Sequence, residues 1–188
     1  MADPVILGIS GNLAKPSRTL GLVSETVERI AQKAGGVGRV VDLSELYGLG
    51  DLRHRAGATP DVAAAFEAVE SADLIVAGTP VYKGAYTGLF KHFVDFIDYR
   101  ALAGVPVALL ATGGSDRHAL VVEYQLRPLF AFFQAHALPT GVFVSEKDLA
   151  DGVISDPRLG ERYAQLIDEA VDALAARSVK EQAREAAE

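Results

Sequence analysis

The chain contains no cysteine among its 188 residues. This absence excludes thiol nucleophiles, disulfides, cysteine-ligated zinc and iron–sulfur clusters. Redox chemistry in such a chain would therefore need a cofactor. Histidine is scarce too, and its four positions include no i, i+4 pair of the kind that ligates a metal from one helix: His54, His92, His118 and His136. We predict no metal site.

Long apolar runs are also missing. No apolar stretch approaches about 20 residues, the length needed to cross a bilayer, and the amino-terminal residues lack a basic region before an apolar run. We therefore expect neither a signal peptide nor a membrane span, and a cytoplasmic location. The 18 Lys and Arg residues against 25 Asp and Glu residues give a net charge of −7. This acidic balance disfavours a general nucleic-acid-binding protein.

The composition, 49% hydrophobic over 188 residues, suits one well-buried α/β domain. Short apolar runs predict buried strands at residues 5–9, 40–41, 74–78, 105–110 and 141–144. Apolar residues at helical spacing predict helices at residues 18–34, 61–71, 89–97, 118–136 and 158–177. This alternation predicts a five-stranded parallel sheet with right-handed crossovers and helices on both faces. We assign residues 1–177 to this domain and expect the charged segment 178–188 to be a disordered tail.

A loop rich in hydroxyl side chains joins the first strand to the first helix. A helix start binds anions, because its unpaired N–H groups and its dipole, equivalent to about +0.5 charge, point at the ligand. Ser10, Ser17 and Thr19 would add hydroxyl donors, and Arg18 would add a charge-assisted bond. On these residues alone, the alternative is that Ser17 only caps the helix and Asn12 only makes a turn. The loop lacks the P-loop, G-x-G-x-x-G and nucleophile-elbow patterns, which disfavours nucleotide and serine hydrolases.

Two further loops follow the third and fourth strands. The first of them continues from Thr79 into Pro80, Val81, Tyr82 and Lys83, and it offers backbone N–H and C=O groups to the edge of a flat ring system. The other consists of Thr112, Gly113, Gly114 and Ser115, where adjacent glycines let the backbone approach a ligand face. Both loops should face the first loop across one edge of the sheet.

These loops together carry a family resemblance. Ser10-Gly11-Asn12, the segment from Thr79 to Lys83 and the segment from Ala111 to Ser115 resemble the NAD(P)H-dependent FMN reductase family of flavodoxin-like fold. Within it, the chain is similar to reductase components of two-component alkanesulfonate or methanesulfonate monooxygenases. The resemblance, which runs from Val5 to Val144, implies hydride transfer from NAD(P)H to FMN and delivery of reduced FMN to a partner monooxygenase. It also implies that the named loop residues bind FMN, with Tyr82 at the pyrimidine end and Lys83 near developing negative charge.

Several alternatives stay open at this point. Tyr82 and Tyr86 could be packing residues, and His118 could cap a helix or touch nicotinamide. A 2′-phosphate of NADPH could meet one of four cations or none: Lys15, Arg53, Arg55 and Arg117. The chain could instead be a flavodoxin-type electron carrier, or a quinone or azo reductase that retains its FMN. Because hydride transfer depends mainly on positioning, we name no catalytic acid or base.

The predicted helix at 118–136 is apolar around most of its circumference. Such a helix is usually buried on several sides, so we expect a homodimer or a homotetramer, with Tyr86 near the interface. Pro128 has no N–H, and the carbonyl of Tyr124 thereby loses its normal helical donor. We predict a π-type turn in which the N–H of Leu129 bonds to this carbonyl, with a simple proline kink as the alternative. The family resemblance implies that Tyr124 then lies at the subunit interface and tunes flavin release.

Overall fold

A central parallel sheet with helices on both faces organises the protein. The computed structural model describes residues 3–150 and 153–185. The strands of the sheet are β1 Val5–Ser10, β2 Val37–Asp42, β3 Leu74–Pro80, β4 Pro106–Gly113, β5 His136–Ala137 and β6 Val142–Ser145. The helices are α1 Arg18–Ala34, α2 Pro60–Glu70, α3 Gly88–Val94, α4 Arg127–Phe132 and α5 Pro157–Glu185. A short antiparallel hairpin lies between β6 and α5 and is formed by β7 Leu149–Ala150 and β8 Val153–Ile154.

The strand order is β2-β1-β3-β4, and both β5 and β6 pair with β4 in parallel. The two short strands therefore form one interrupted edge strand, and the predicted five-stranded parallel sheet of flavodoxin-like type is confirmed. Gly78 pairs with Ser10, and Ser145 pairs with Gly113, so the carboxyl ends of four strands meet at one edge. Because the chain order reverses between β1 and β3, a crevice opens at this edge, where open α/β sheets bind ligands.

Each face of the sheet packs against its own apolar cluster. One cluster joins α1 and α5 to the sheet and includes Val23, Val27 and Leu166, while the other lies under α2, α3 and the segment before α4. Helix α1 has the bounds predicted from the sequence. Its start is capped by the Ser17 hydroxyl, which accepts from the Leu20 N–H at 3.1 Å, and it ends at Gly35 with a φ of 67°.

The predicted helix at 118–136 is divided into three pieces. A 3₁₀ turn at Asp116–His118 precedes a π-helix at Val122–Leu126, which is followed by α4. The π-type turn is thus confirmed over a simple kink, although the bond at its end runs from the N–H of Arg127 to the carbonyl of Val122. Pro128 lies in the first turn of α4, directly after the π-helix, and its missing N–H interrupts the i→i+4 bonds at this point.

The same prediction was wrong about where this region ends. Helix α4 stops at Phe132, and Gln134 has a φ of 56°, which reverses the chain and sends His136 into the sheet. Helix α5 is longer than predicted, since residues 178–185, which we expected in a disordered tail, continue it. Apart from Ser178 and Val179, the segment consists of Lys, Glu, Gln, Ala and Arg, which are strong helix formers. The rest of the tail, residues 186–188, lies outside the described residues.

Candidate active site

A cavity of about 270 Å³ lies at the carboxyl ends of β1, β3, β4 and β6. All three loops selected from the sequence contribute to its wall: Ser17, Arg18, Thr19, Pro80, Val81, Tyr82, Thr112, Gly113 and Gly114. The sheet brings these segments together because parallel strands end at a common edge. The predicted residues therefore converge on one concave surface at the start of α1.

Hydrogen bonds tie the three loops into one rim. The buried hydroxyls of Thr19 and Thr112 lie 2.7 Å apart and join the first turn of α1 to the end of β4. The N–H of Val81 donates to the carbonyl of Thr112 at 2.8 Å, and the hydroxyl of Thr87 donates to the carbonyl of Gly11 at 2.7 Å. A wall linked in this way holds its shape before a ligand arrives.

Ser10 and Asn12 belong to the first loop but do not line this cavity. Both side chains are buried, and the Ser10 hydroxyl donates to the Asn12 side-chain oxygen at 2.6 Å. The Asn12 amide donates to the carbonyl of Ala14 at 3.3 Å and to the hydroxyl of Ser44 at 3.2 Å. In this structure these two residues shape the first loop from within, and the helix start beyond it faces the cavity.

Lys83 and Ser115 also lie outside the cavity wall. Lys83 has a φ of 53° in a tight turn, where the N–H of Tyr82 donates to the carbonyl of Ala85 at 3.0 Å. Ser115 immediately precedes the 3₁₀ turn at Asp116–His118. The ring of Tyr82 is 53% exposed, so it contributes little to the core and stays accessible at the mouth of the cavity.

The sequence analysis missed the contribution of β6 to this site. Val144, Ser145 and Glu146 line the cavity together with Leu149, and Glu146 forms an ion pair with Arg18. The strand itself was predicted, and its carboxyl end had to lie at the same edge of the sheet as the other three. The residues that follow this strand could therefore have been included on the same argument as the first three loops.

A second ion pair connects the turn after β6 to the 3₁₀ turn that follows the third loop. Lys147 bonds to Asp116, and this hydrogen bond lowers the pKa of the Asp116 carboxyl and raises the pKa of the Lys147 amine.

No group of three or more His, Asp or Glu side chains in the described ranges is arranged to hold a metal ion. Likewise, no helix within residues 3–150 and 153–185 is long and apolar enough to span a membrane.

A separate groove of about 710 Å³ lies between α3 and the π-helix with α4. The three residues predicted at a subunit interface, Tyr86, Tyr124 and Pro128, all line it. Tyr124 is 71% exposed and Phe132 is 72% exposed. The groove is therefore a largely apolar surface with exposed aromatic side chains, and Lys91, Asp95 and Asp98 also line it.

Comparison with known proteins assigns the family. Residues 4–150 match the family model described as NADPH-dependent FMN reductase. The chain belongs to this family. It is 43% identical over 165 residues to the NADH-dependent FMN reductase SfnF of Pseudomonas putida, covering 87% of this chain and 89% of the relative. It is 44% identical over 154 residues to an FMN reductase (NADPH) of Pseudomonas aeruginosa, covering 81% of this chain and 83% of that protein.

Solved structures agree with this assignment. An apo-form NADH:FMN oxidoreductase, EmoB, superimposes with a TM-score of 0.82 at 28% identity, covering 89% of this chain and 88% of that one. An oxidoreductase from Corynebacterium diphtheriae gives a TM-score of 0.80 at 31% identity, covering 94% of this chain and 99% of that one. The protein is thus a flavodoxin-like NAD(P)H-dependent FMN reductase, and FMN and NAD(P)H are its flavin and its reductant.

Proposed function

We propose that FMN binds in the cavity at the carboxyl end of the sheet and is reduced there by NAD(P)H. The observation that carries this proposal is the convergence of three separate loops on one concave surface at the start of α1. The phosphate of FMN would lie at this helix start, next to Ser17, Arg18 and Thr19. The first turn of α1 contains no acidic residue, so no side chain of that turn repels an anion.

The flavin ring would lie between the second and third loops. A β-carbon added to Gly114 would meet nothing within 4 Å, which leaves the cavity side of this loop open to a flat ligand. Pro80, Val81 and the exposed ring of Tyr82 form the opposite wall. Bound FMN supplies the chemistry, because its ring accepts a hydride from a nicotinamide. The protein's own contribution is to hold the ring edge with backbone groups and to leave one face free for the nicotinamide.

We infer that reduced FMN leaves the protein for a partner, a flavin-dependent monooxygenase that acts on a sulfonate. The cavity of about 270 Å³ is smaller than typical ligand pockets, which span about 300–1,000 Å³. Such a small cavity supports a flavin that is exchanged as a substrate. Because NAD(P)H is a reductant of the cell interior, the proposed location is the cytoplasm.

We further infer that the protein is a homodimer or a homotetramer built on the groove between α3 and α4. An uncovered apolar groove with exposed Tyr124 and Phe132 favours a second copy of the chain as its occupant. Tyr124 would then meet the partner subunit, where the π-helix that contains it could influence flavin release. Light scattering at micromolar concentration tests this, and a monomer would contradict it.

The phosphate assignment is tested by measuring the dissociation constants of FMN and riboflavin. A hydrogen bond to a charged group contributes about 1.5–3 kcal/mol, so Arg18→Ala should weaken FMN binding by about 10- to 150-fold. Riboflavin lacks the phosphate and should bind both proteins equally. Ser17→Ala should act in the same direction. If neither variant changes the affinity for FMN, the phosphate lies elsewhere.

The reaction is tested by steady-state oxidation of NADH and NADPH with free FMN, riboflavin and a quinone as acceptors. We expect turnover with free FMN and release of the reduced flavin. Turnover only with the quinone, and with FMN retained through gel filtration, would favour a quinone or azo reductase instead.

A further inference from the structure

The arginine that we assign to the phosphate, Arg18, already forms an ion pair with a carboxylate of the protein itself. Glu146 Oε1 bonds to the Arg18 guanidinium, and the two residues are 128 positions apart in the chain. Both side chains line the same cavity. They are also accessible, with 54% of the Arg18 side chain and 57% of the Glu146 side chain exposed. An anionic ligand at the start of α1 therefore meets an arginine that is already paired.

The backbone of Glu146 is held in place on both sides. The hydroxyl of Ser145 donates to the Asp148 carboxylate at 2.6 Å, and the N–H of Ser145 donates to the same oxygen at 2.8 Å. Lys147 bonds to Asp116 on the other side of the turn. These contacts fix the 3₁₀ turn after β6 and direct Glu146 toward α1. The backbone position of Glu146 is thus set by the fold, and from there its side chain reaches Arg18 at the start of α1.

We propose that Glu146 competes with the phosphate of FMN for Arg18 and thereby sets a weak affinity for the flavin. This inference rests on the proposed phosphate site at the start of α1. A phosphate monoester carries a charge of about −1.5 to −2 at pH 7, and binding must separate the ion pair and bring this charge near the Glu146 carboxylate. Both effects lower the affinity for FMN and leave the affinity for riboflavin unchanged. The residue therefore favours exchange of flavin over its retention.

The physical size of the effect follows from the exposure of the pair. An exposed ion pair is a weak interaction, so its loss alone changes affinity by a small factor. Removal of the carboxylate also removes its repulsion of a nearly doubly charged phosphate, which solvent screens only in part at such short range. We expect Glu146→Gln to lower the dissociation constant of FMN by about threefold to tenfold. Glutamine keeps the size and the hydrogen-bonding oxygen, so the turn should be unaffected.

The test is a titration of the apo-protein with FMN and with riboflavin, in which binding is monitored by flavin fluorescence. Glu45→Gln is the matched control, because Glu45 also pairs with a first-loop cation, Lys15, at 2.6 Å and lies outside the cavity. Both variants change the net charge by the same amount. We expect only Glu146→Gln to tighten FMN binding, with riboflavin binding unchanged in all proteins. A lower rate of flavin release in stopped-flow exchange should accompany the tighter binding.

The outcomes separate this inference from the proposed phosphate site. If Arg18→Ala weakens FMN binding while Glu146→Gln leaves it within twofold of wild type, the competition is refuted and the phosphate site stands. If Glu146→Gln weakens FMN binding, Glu146 positions Arg18 for the ligand and the inference is also refuted. If neither variant alters FMN binding, both the phosphate site and the competition are wrong. If Glu45→Gln tightens FMN binding equally, the effect comes from net charge and the specific role of Glu146 is refuted.

Discussion

Replacing Gly78 by alanine should destabilise the protein, because no space exists for a β-carbon at this position. Gly78 lies near the carboxyl end of β3, directly under α1. A β-carbon there would be 2.2 Å from Val23 Cγ2, 3.6 Å from Thr19 Cγ2 and 3.7 Å from Leu110 Cβ. Val23 is completely buried, so its side chain cannot move toward solvent. Helix α1 or β3 must therefore shift.

The magnitude follows from the cost of inserting one methyl group into a packed core. Overpacking of this kind costs about 1–3 kcal/mol. For a chain of this size, 1 kcal/mol lowers the melting temperature by about 2–4 °C, so we expect a decrease of about 2–12 °C. Because the displaced helix contributes Ser17, Arg18 and Thr19 to the cavity, FMN affinity should fall in the same variant.

The assay is urea unfolding of wild type, Gly78→Ala, Val23→Ala and the double variant. Removing the Val23 methyl groups makes room for the new one, so the double variant should lose at least about 0.5 kcal/mol less than the sum of the single variants. Gly21→Ala is the control, since a β-carbon at this exposed helical position meets nothing within 4 Å and should stabilise α1 by about 0.5–1 kcal/mol. A neutral Gly78→Ala, or strictly additive losses, would refute the steric argument.

Three further predictions concern other parts of the molecule. Burial raises the pKa of Tyr163 to about 12, and its hydroxyl bonds to Thr26 at 2.8 Å, so Tyr163→Phe should cost about 0.5–1.5 kcal/mol in denaturant unfolding. Burial raises the pKa of Glu70, but bonds from Arg55 and the Asp98 N–H outweigh it and lower the pKa below the ordinary 4.5. The charged carboxylate stabilises the folded state fully above pH 4.5, and this contribution is lost as the pH falls through the lowered pKa of the folded state. The free energy of unfolding of Glu70→Gln should therefore decrease less in acid than that of wild type. Tyr124→Ala should retain FMN more tightly and turn over free FMN more slowly, and unchanged affinity and turnover would refute a role in release.

Much of the fold and most of the cavity wall could be predicted from local patterns. Each apolar run identified a strand, and Ser17 and Gly35 marked the ends of α1, because capping and burial depend on neighbouring residues in the sequence. The three loops were found because parallel strands must end at one edge of the sheet. The π-helix was predicted from the missing N–H of Pro128 together with the family resemblance, whereas the observed bond between Arg127 and Val122 was not predicted.

Other features depended on contacts between distant segments. Whether Ser10 and Asn12 face a ligand or the loop interior depends on Ser44, which lies on another strand connection. The edge strand begins at His136 because the chain reverses at Gln134, a conformation that local propensity does not favour. The pair between Arg18 and Glu146 joins residues 128 positions apart. The sequence by itself thus determined most of the strands and helices and both ends of α1. The tertiary structure decided where the segment before β5 ends and which side chains face the cavity, because both depend on atoms brought together only by packing.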